Sequence, residues 1–327
     1  MASPGPQSAE ARPSAWGGLS TVLDTPAKRG TAIAVILAIM VAAPLSGPYA
    51  TVILTNALLY TILALGLNIV VGYAGLLDLG YAAFFAVGAY SVGILTTSFG
   101  WNFWATIPVA VVAAMLAGII IGGPTLRLRS DYLAIVTLGF GEIVRIAARN
   151  LKITGSASGI SGIEQPWLFG WHLKSSTDFY YVFLVLAIIG ILVSVRLVNS
   201  RLGRAWLYVR HDEDAAEAMG IDRVRVKLAA YVIGAIYGSI GGAFFAANLG
   251  AISPDSFSFK QSTLFLMAVI LGGMGKIPGV ILGAFVVVLA PEILRDFGSW
   301  RYLIFAVGLL LIMLYRPSGI WPAGARR

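Results

Sequence analysis

The chain contains no cysteine. That absence removes disulfides, thiolate metal sites and thiol nucleophiles together. Histidine is almost as scarce, and His172 and His211 stand far apart in different loops, so they make no ligand cluster. Charge is short too. Only 12% of the 327 residues are Asp, Glu, Lys or Arg, against roughly a quarter in a soluble domain. Such a chain has too few polar residues to cover a water-facing surface.

What it has instead is apolar length. Hydrophobic residues make up 58% of the chain, and they recur in runs of about 20, enough to cross a bilayer as helices. The runs do not alternate between polar and apolar positions as the strands of a transmembrane barrel would. The fold class is therefore all-α, a polytopic integral membrane protein. Spans are expected at 31–46, 49–71, 73–97, 103–122, 131–149, 178–198, 228–250, 262–290 and 300–315. The run 262–290 is interrupted by GGMGKIPG, so about eight to ten crossings are expected, some broken or re-entrant.

Residues 1–30, rich in Pro, Ser, Ala and Gly, read as a disordered cytoplasmic tail. Residues 31–316 form the membrane domain, and 317–327 a C-terminal tail. Lys28 and Arg29 precede the first apolar run, and so long a lead favours a membrane helix over a cleaved signal peptide. The net charge is +8. Its basic residues gather at the ends of apolar runs, which points to the positive-inside rule and not to nucleic acid. The loop 196–227 carries Arg196, Arg201, Arg204, Arg210, Arg223, Arg225 and Lys227, and its side is cytoplasmic on that rule. Arg127, Arg129, Arg316, Arg326 and Arg327 fit the same side, which places both termini inside. The polar stretch 150–177 falls on the opposite face, as an outer cap, a docking surface or a plain connection.

Between 66 and 90, one run holds Gly66, Gly72, Gly75, Gly80 and Gly88 together with Asp78. Irregular backbone at membrane depth survives inside protein or beside a water-filled cavity. An ionisable group within a span faces such a cavity or a partner. The expectation is a broken helix over 72–88 lining a path, with Asp78 and Tyr81 facing it, and with Gly72, Gly75, Gly80 and Gly88 letting the backbone bend or neighbouring helices come close. The competing expectation is that Asp78 only caps a helix or pairs with a basic residue. Farther on, Glu142, Arg145 and Arg149 share one helical stripe, either as an ion pair or as path contacts. Gly234, Gly238 and Gly242 put small residues on one helix face, for packing within the chain or at a dimer seam.

GGMGKIPG is not a phosphate loop. A Walker A motif needs Gly six residues before the Lys and Ser or Thr after it, and here those positions are Ile270 and Ile277. If ATP drives this protein, a partner must bind it. The stretch SRLGRAWLYVRHDEDAAEAMGIDRVRVK is more informative. Asp212 is placed to cap a helix, Glu213 and Asp214 suit its first turn, and Gly220 suits its end. So short a helix is marginal alone, and its small residues suit a groove in another protein.

DAAEAMG matches the first part of the EAA loop of ABC importer permeases, with Asp214 at the first Glu; the later I-x-L-P part is missing. Around it, GYAGLLDLGYAAFFAVGAY, LRLRSDYLAIVTLGFGEIVRI, AAEAMGIDRVRVKLAAYVIGAIYGSIGGAFFA, ISPDSFSF and VILGGMGKIPGVILGA together resemble LivM-type permeases of branched-chain amino acid ABC transporters. The likeness runs in family order over residues 50 to 295. Where the family has TGGxxGI this chain has TGSASGI, with Ser156 at the second glycine. The resemblance implies a permease subunit that does no covalent chemistry. Its partners would be a LivH-type second permease, two ABC ATPases carrying ATP and Mg, and an extracytoplasmic solute-binding protein. It implies a bacterial cytoplasmic membrane location and alternating access for branched-chain or other hydrophobic amino acids, with urea, short amides or aromatic acids as alternatives. It also implies that residues 199–227 form the coupling loop, with Asp212, Glu213, Asp214, Ala215, Ala216, Glu217, Met219 and Gly220 meeting the ATPase. On the residues alone, an ion-coupled secondary transporter using Asp78 remains the rival.

Overall fold

The computed structural model describes residues 44, 47–125, 130–168, 171–173, 175–298, 300–316 and 319–320. The expected N-terminal tail, all of the first span at 31–46 but residue 44, all of the C-terminal tail but residues 319–320, and Arg127 and Arg129 lie outside these residues.

Helix α1 (Pro48–Leu67) opens with proline at its first position, where the missing N–H costs nothing. It then runs directly into a π-helical turn, Asn68–Tyr73. Its threonines can be buried in an apolar setting because each hydroxyl bonds a carbonyl one turn back. Thr51 reaches Gly47 at 2.9 Å, and Thr55 and Thr61 reach Thr51 and Ala57 at 2.8 Å. Residues 74–81 leave the helix, and α2 (Ala82–Thr97) resumes it. The expected span 73–97 is thus shorter than its apolar run, because its first residues are spent on the break. There follow α3 (Phe103–Thr125), α4 (Ser130–Asn150), α5 (Ser176–Val198), α6 (Arg201–His211), α7 (Glu213–Ala218) and α8 (Arg223–Leu249). The expected run 262–290 divides into α9 (Phe259–Gly272) and α10 (Ile277–Ile293), and α11 (Trp300–Tyr315) ends the helical order.

Among the described residues four segments are long and apolar enough to cross a membrane: Pro48–Tyr73, Phe103–Thr125, Ser176–Val198 and Arg223–Leu249. Shorter apolar helices occupy Ala82–Thr97, Phe259–Gly272, Ile277–Ile293 and Leu303–Ile312. Helix α4 has the length without the apolarity, since Asp131, Glu142, Arg145 and Arg149 interrupt it. The chain is a multi-pass, all-α membrane protein.

Helices α1 and α8 form the centre, with 67% and 61% of their most apolar stretches buried against 33% for α3 and α5. Helix α8 packs chiefly on α2 and α3, and α1 on α5, α10 and α8. The stripe Gly234, Gly238 and Gly242 is turned inward and makes this approach possible. A Cβ at Gly234 would stand 2.6 Å from Val70, one at Gly238 would stand 2.8 Å from Phe84, and one at Gly242 would overlap the Phe85 carbonyl. Backbones this close exclude larger residues.

At about 1.5 Å per residue, α8 separates two ends of the bundle by roughly 40 Å. One end carries α6 and α7. At the other, two small ladders close the surface: β1 (Ile160–Ser161) pairs antiparallel with β4 (Ala251–Ile252), and β2 (Trp167–Leu168) with β3 (Trp171–His172). The Trp104 indole N–H donates to the Trp167 carbonyl at 2.7 Å and ties the start of α3 to this cap. A capping box of Ser175 and Asp178 then starts α5.

Candidate functional site

The break at 74–81 exposes backbone that must find partners inside protein. Gly75, at φ +73, turns the chain in a conformation that side chains disfavour. From there the donors that begin α2 are met by side chains from three directions. Asp78 Oδ1 accepts from the Gly80 N–H at 2.8 Å. Thr137 of α4 accepts from the Leu79 N–H at 3.1 Å, and Ser262 of α9 accepts from the Ala82 N–H at 2.9 Å. Gly80 presses on α4 so closely that a Cβ would overlap the Thr137 carbonyl.

Asp78 is completely buried, and its Oδ1 accepts from the Gly80 N–H two residues on, within the break and ahead of the first turn of α2. Its Oδ2 has no hydrogen-bond partner among the described residues. A neighbouring donor, the Thr137 hydroxyl, gives its proton to the Ala134 carbonyl at 3.1 Å. Tyr81 is equally enclosed. Its hydroxyl donates to the Gly234 carbonyl at 2.9 Å, and its ring meets Phe84 and Phe265 edge-on. Tyr81 therefore fastens the break to α8 and α9, Asp78 bonds within the break, and neither side chain opens onto a surface of this chain.

Glu142 and Arg145 are placed differently. Their side chains keep 30% and 21% of their exposure, and Arg145 Nη2 lies 2.8 Å from Glu142 Oε2. The same guanidinium reaches Asp255, at the capped end of the bundle, at 3.4 Å. Helix α4 touches the core through Leu133, Thr137 and Gly141, and turns Tyr132, Ile135, Ile143 and Ile146 outward.

At the opposite end, Asp212 begins α7 as its residue type suggests, with Oδ1 accepting from the N–H groups of Asp214 and Ala215 at 3.0 Å. Gly220, at φ +82, ends the turn after Met219. The helix is held from behind. Lys227 Nζ lies 2.6 Å from Glu213 Oε1, and Arg223 reaches Glu217 at 3.2 Å and Asp214 at 3.6 Å. Trp206 of α6, fully buried, donates to the Val226 carbonyl at 2.8 Å. Ala216 faces inward at 3% exposure, whereas Ala215, Ala218 and Met219 face out. Ala216 is therefore taken up by this chain's own packing and is not part of the outward surface.

Sequence reasoning missed Thr137, Ser262, Ala218, Trp206 and Arg210. The first two carry a readable signal, a hydroxyl within an apolar run, although nothing local says which backbone it serves. Arg210, whose guanidinium donates to the Gly72 carbonyl, looked like one basic loop residue among several.

Residues 49–314 match the family described as branched-chain amino acid transport system / permease component. The chain is 42% identical over 294 residues to the high-affinity branched-chain amino acid transport system permease protein LivM of Salmonella typhimurium, covering 83% of this chain and 69% of the relative. It is 42% identical over 312 residues to LivM of Escherichia coli K12, covering 88% and 73%. LivH of the same Escherichia coli strain, the permease protein of that transport system with another name, is 25% identical over 290 residues, covering 80% and 90%. No solved structure matches significantly. With most of its length inside the family match, and with relatives this similar, the chain belongs to the permease-component family of branched-chain amino acid transport systems.

Proposed function

We propose that this chain is one permease subunit of an ABC importer for branched-chain or other hydrophobic amino acids. It pairs with a LivH-type subunit, two ATPases that bind ATP and Mg, and an extracytoplasmic binding protein. The observation that carries the reading is α7: a capped six-residue helix, braced by Lys227 and Arg223, with Ala215, Ala218 and Met219 presented outward. A marginal helix braced in this way suits a groove on a soluble partner. The names of the relatives supply the substrate class.

On this reading α6 and α7 lie in the cytoplasm with both termini, and the β ladders lie outside, following the basic residues at 196–227. The path runs along the face of α4 that carries Glu142 and Arg145, between this subunit and its partner. The break at 74–81, with Gly75, Asp78, Gly80 and Tyr81, stands behind that face as its support. ATP binding and hydrolysis in the partners bias two arrangements of these elements.

The test is the reconstituted complex in proteoliposomes. Leucine uptake should require ATP, the ATPases and the loaded binding protein together. Uptake by this polypeptide alone, driven by an ion gradient, would favour the secondary transporter. Uptake of urea or amides in preference to leucine would move the substrate class and keep the importer.

A further inference from the structure

Arg210 lies at the end of α6, two residues before the cap of α7. Its Nη1 donates to the carbonyl of Gly72, within the π turn that ends α1. Carbonyls at a helix end lack partners in their own helix, and a cation there also meets the negative end of the dipole. The stem of the same side chain passes Gly75, where a Cβ would stand 2.9 Å from Arg210 Cγ. Its Nη1 lies 3.3 Å from the Cβ position of Gly275, in the turn between α9 and α10. That turn is itself held to α1, since the Gly275 N–H donates to Asn68 Oδ1 at 2.8 Å. One side chain thus touches the π turn, the start of the break at 74–81 and the turn at 273–276.

These are the places where the membrane helices are interrupted. Interrupted backbone is what can take a second arrangement, and π turns occur often at functional sites. Helix α8, the other connection from α7 into the bundle, is continuous over Arg223–Leu249. Behind Arg210 the pieces at this end of the bundle are tied together, because Trp206 binds α6 to α8, and Lys227 and Arg223 bind α7 to α8. We propose that Arg210 is a positioning residue that transmits displacement of α7 to the break at 74–81 and to the turn at 273–276. An arginine suits this junction because its planar fork can hold more than one acceptor, whereas lysine offers a single point of charge. The inference rests on the reading that α7 docks on an ATPase.

The experiment compares wild type, Arg210→Ala and Arg210→Lys in the full reconstituted complex. ATP hydrolysis is measured with and without leucine-loaded binding protein, and leucine uptake is measured beside it, all per assembled complex. For Arg210→Ala, basal hydrolysis should stay within about twofold of wild type while the stimulated part and uptake fall about tenfold, and Arg210→Lys should recover part of the loss. Stimulation and uptake at wild-type levels in Arg210→Ala would overturn the inference. Failure of both variants to assemble would also overturn it, by making Arg210 a folding residue. If Arg210→Ala alone fails to assemble, Arg210→Lys decides: reduced stimulation with wild-type basal hydrolysis supports the inference, and wild-type stimulation overturns it. A wild-type chain that does not assemble with the ATPases would sink the importer reading itself, a different and visible result.

Discussion

Lys227 Nζ lies 2.6 Å from Glu213 Oε1, with Lys227 only 3% exposed and Glu213 40% exposed. One partner is enclosed and the other is wet, so the two halves of the pair are not equivalent. Removing Glu213 leaves a buried ammonium unpaired, whereas removing Lys227 leaves a carboxylate that water can reach. Glu213→Ala should therefore destabilise the chain more than Lys227→Met. The loss should stay below the roughly 3–5 kcal/mol of a fully enclosed pair. Melting temperatures of the purified variants in detergent decide this, and a larger drop for Lys227→Met would contradict it.

The two faces of α7 should respond differently to bulk. Ala216→Trp must intrude on this chain's own packing, at a cost of roughly 1–3 kcal/mol. Ala218→Trp should leave the chain folded and block the ATPase. Pull-down of the ATPase by each variant, normalised to folded chain, separates the two. Equal ATPase binding by Ala218→Trp and wild type would remove the outward face as the docking surface.

Asp78→Asn keeps an oxygen that can accept from the Gly80 N–H, and Asp78→Ala does not. A buried donor left unpaired costs about 1–3 kcal/mol. Folded yield should fall for Asp78→Ala and hold for Asp78→Asn. Equal yields of the two variants would mean that this hydrogen bond is not what Asp78 contributes to folding.

Gly80→Ala should weaken the seat of α4, since the new Cβ would overlap the Thr137 carbonyl. Backbone cannot give way as a flexible side chain does, so roughly 1–3 kcal/mol is expected. Gly139→Ala, on the same helix with open space around it, is the control and should be neutral or slightly stabilising. Proteolysis of the two variants at 130–150 gives the comparison.

The chain has no native cysteine, which makes a labelling test of orientation clean. A cysteine at Ser158 should react with an impermeant thiol reagent from outside intact cells. One at Glu217 should react only after the membrane is opened. Reversed labelling would invert the topology read from charge.

Much of this architecture was legible because membrane helices are written in long apolar runs, and Asp212 and Gly220 mark the ends of the short helix between two of them. The break between α1 and α2 was legible too, since five glycines and a carboxylate in one run conflict with an unbroken span. Its depth was not. The distance from Tyr73 to Ala82 depends on Thr137 and Ser262, hydroxyls that arrive from α4 and α9. No local pattern announces such partners. The inward turn of Ala216 was hidden for the same reason: every residue of α7 is small or polar, so no apolar stripe shows which side faces the bundle, and Lys227 and Arg223 settle it.

The pairing of Ile160 with Ile252 has a consequence for how the protein is made. Chains emerge from the ribosome N-terminus first. The β1 segment therefore reaches its place well before β4 exists, and it must wait while α5, α6, α7 and α8 are synthesised. During that interval α4 lacks Asp255 as well, the ion partner that Arg145 meets at the capped end. The seat of α4 on Thr137 and Leu79 can form early, but its far end can be fixed only after α8 has crossed the membrane. A translation stall between residues 199 and 250 should therefore leave the end of α4 near Arg149 open to protease, while α1 and α2 are already inserted.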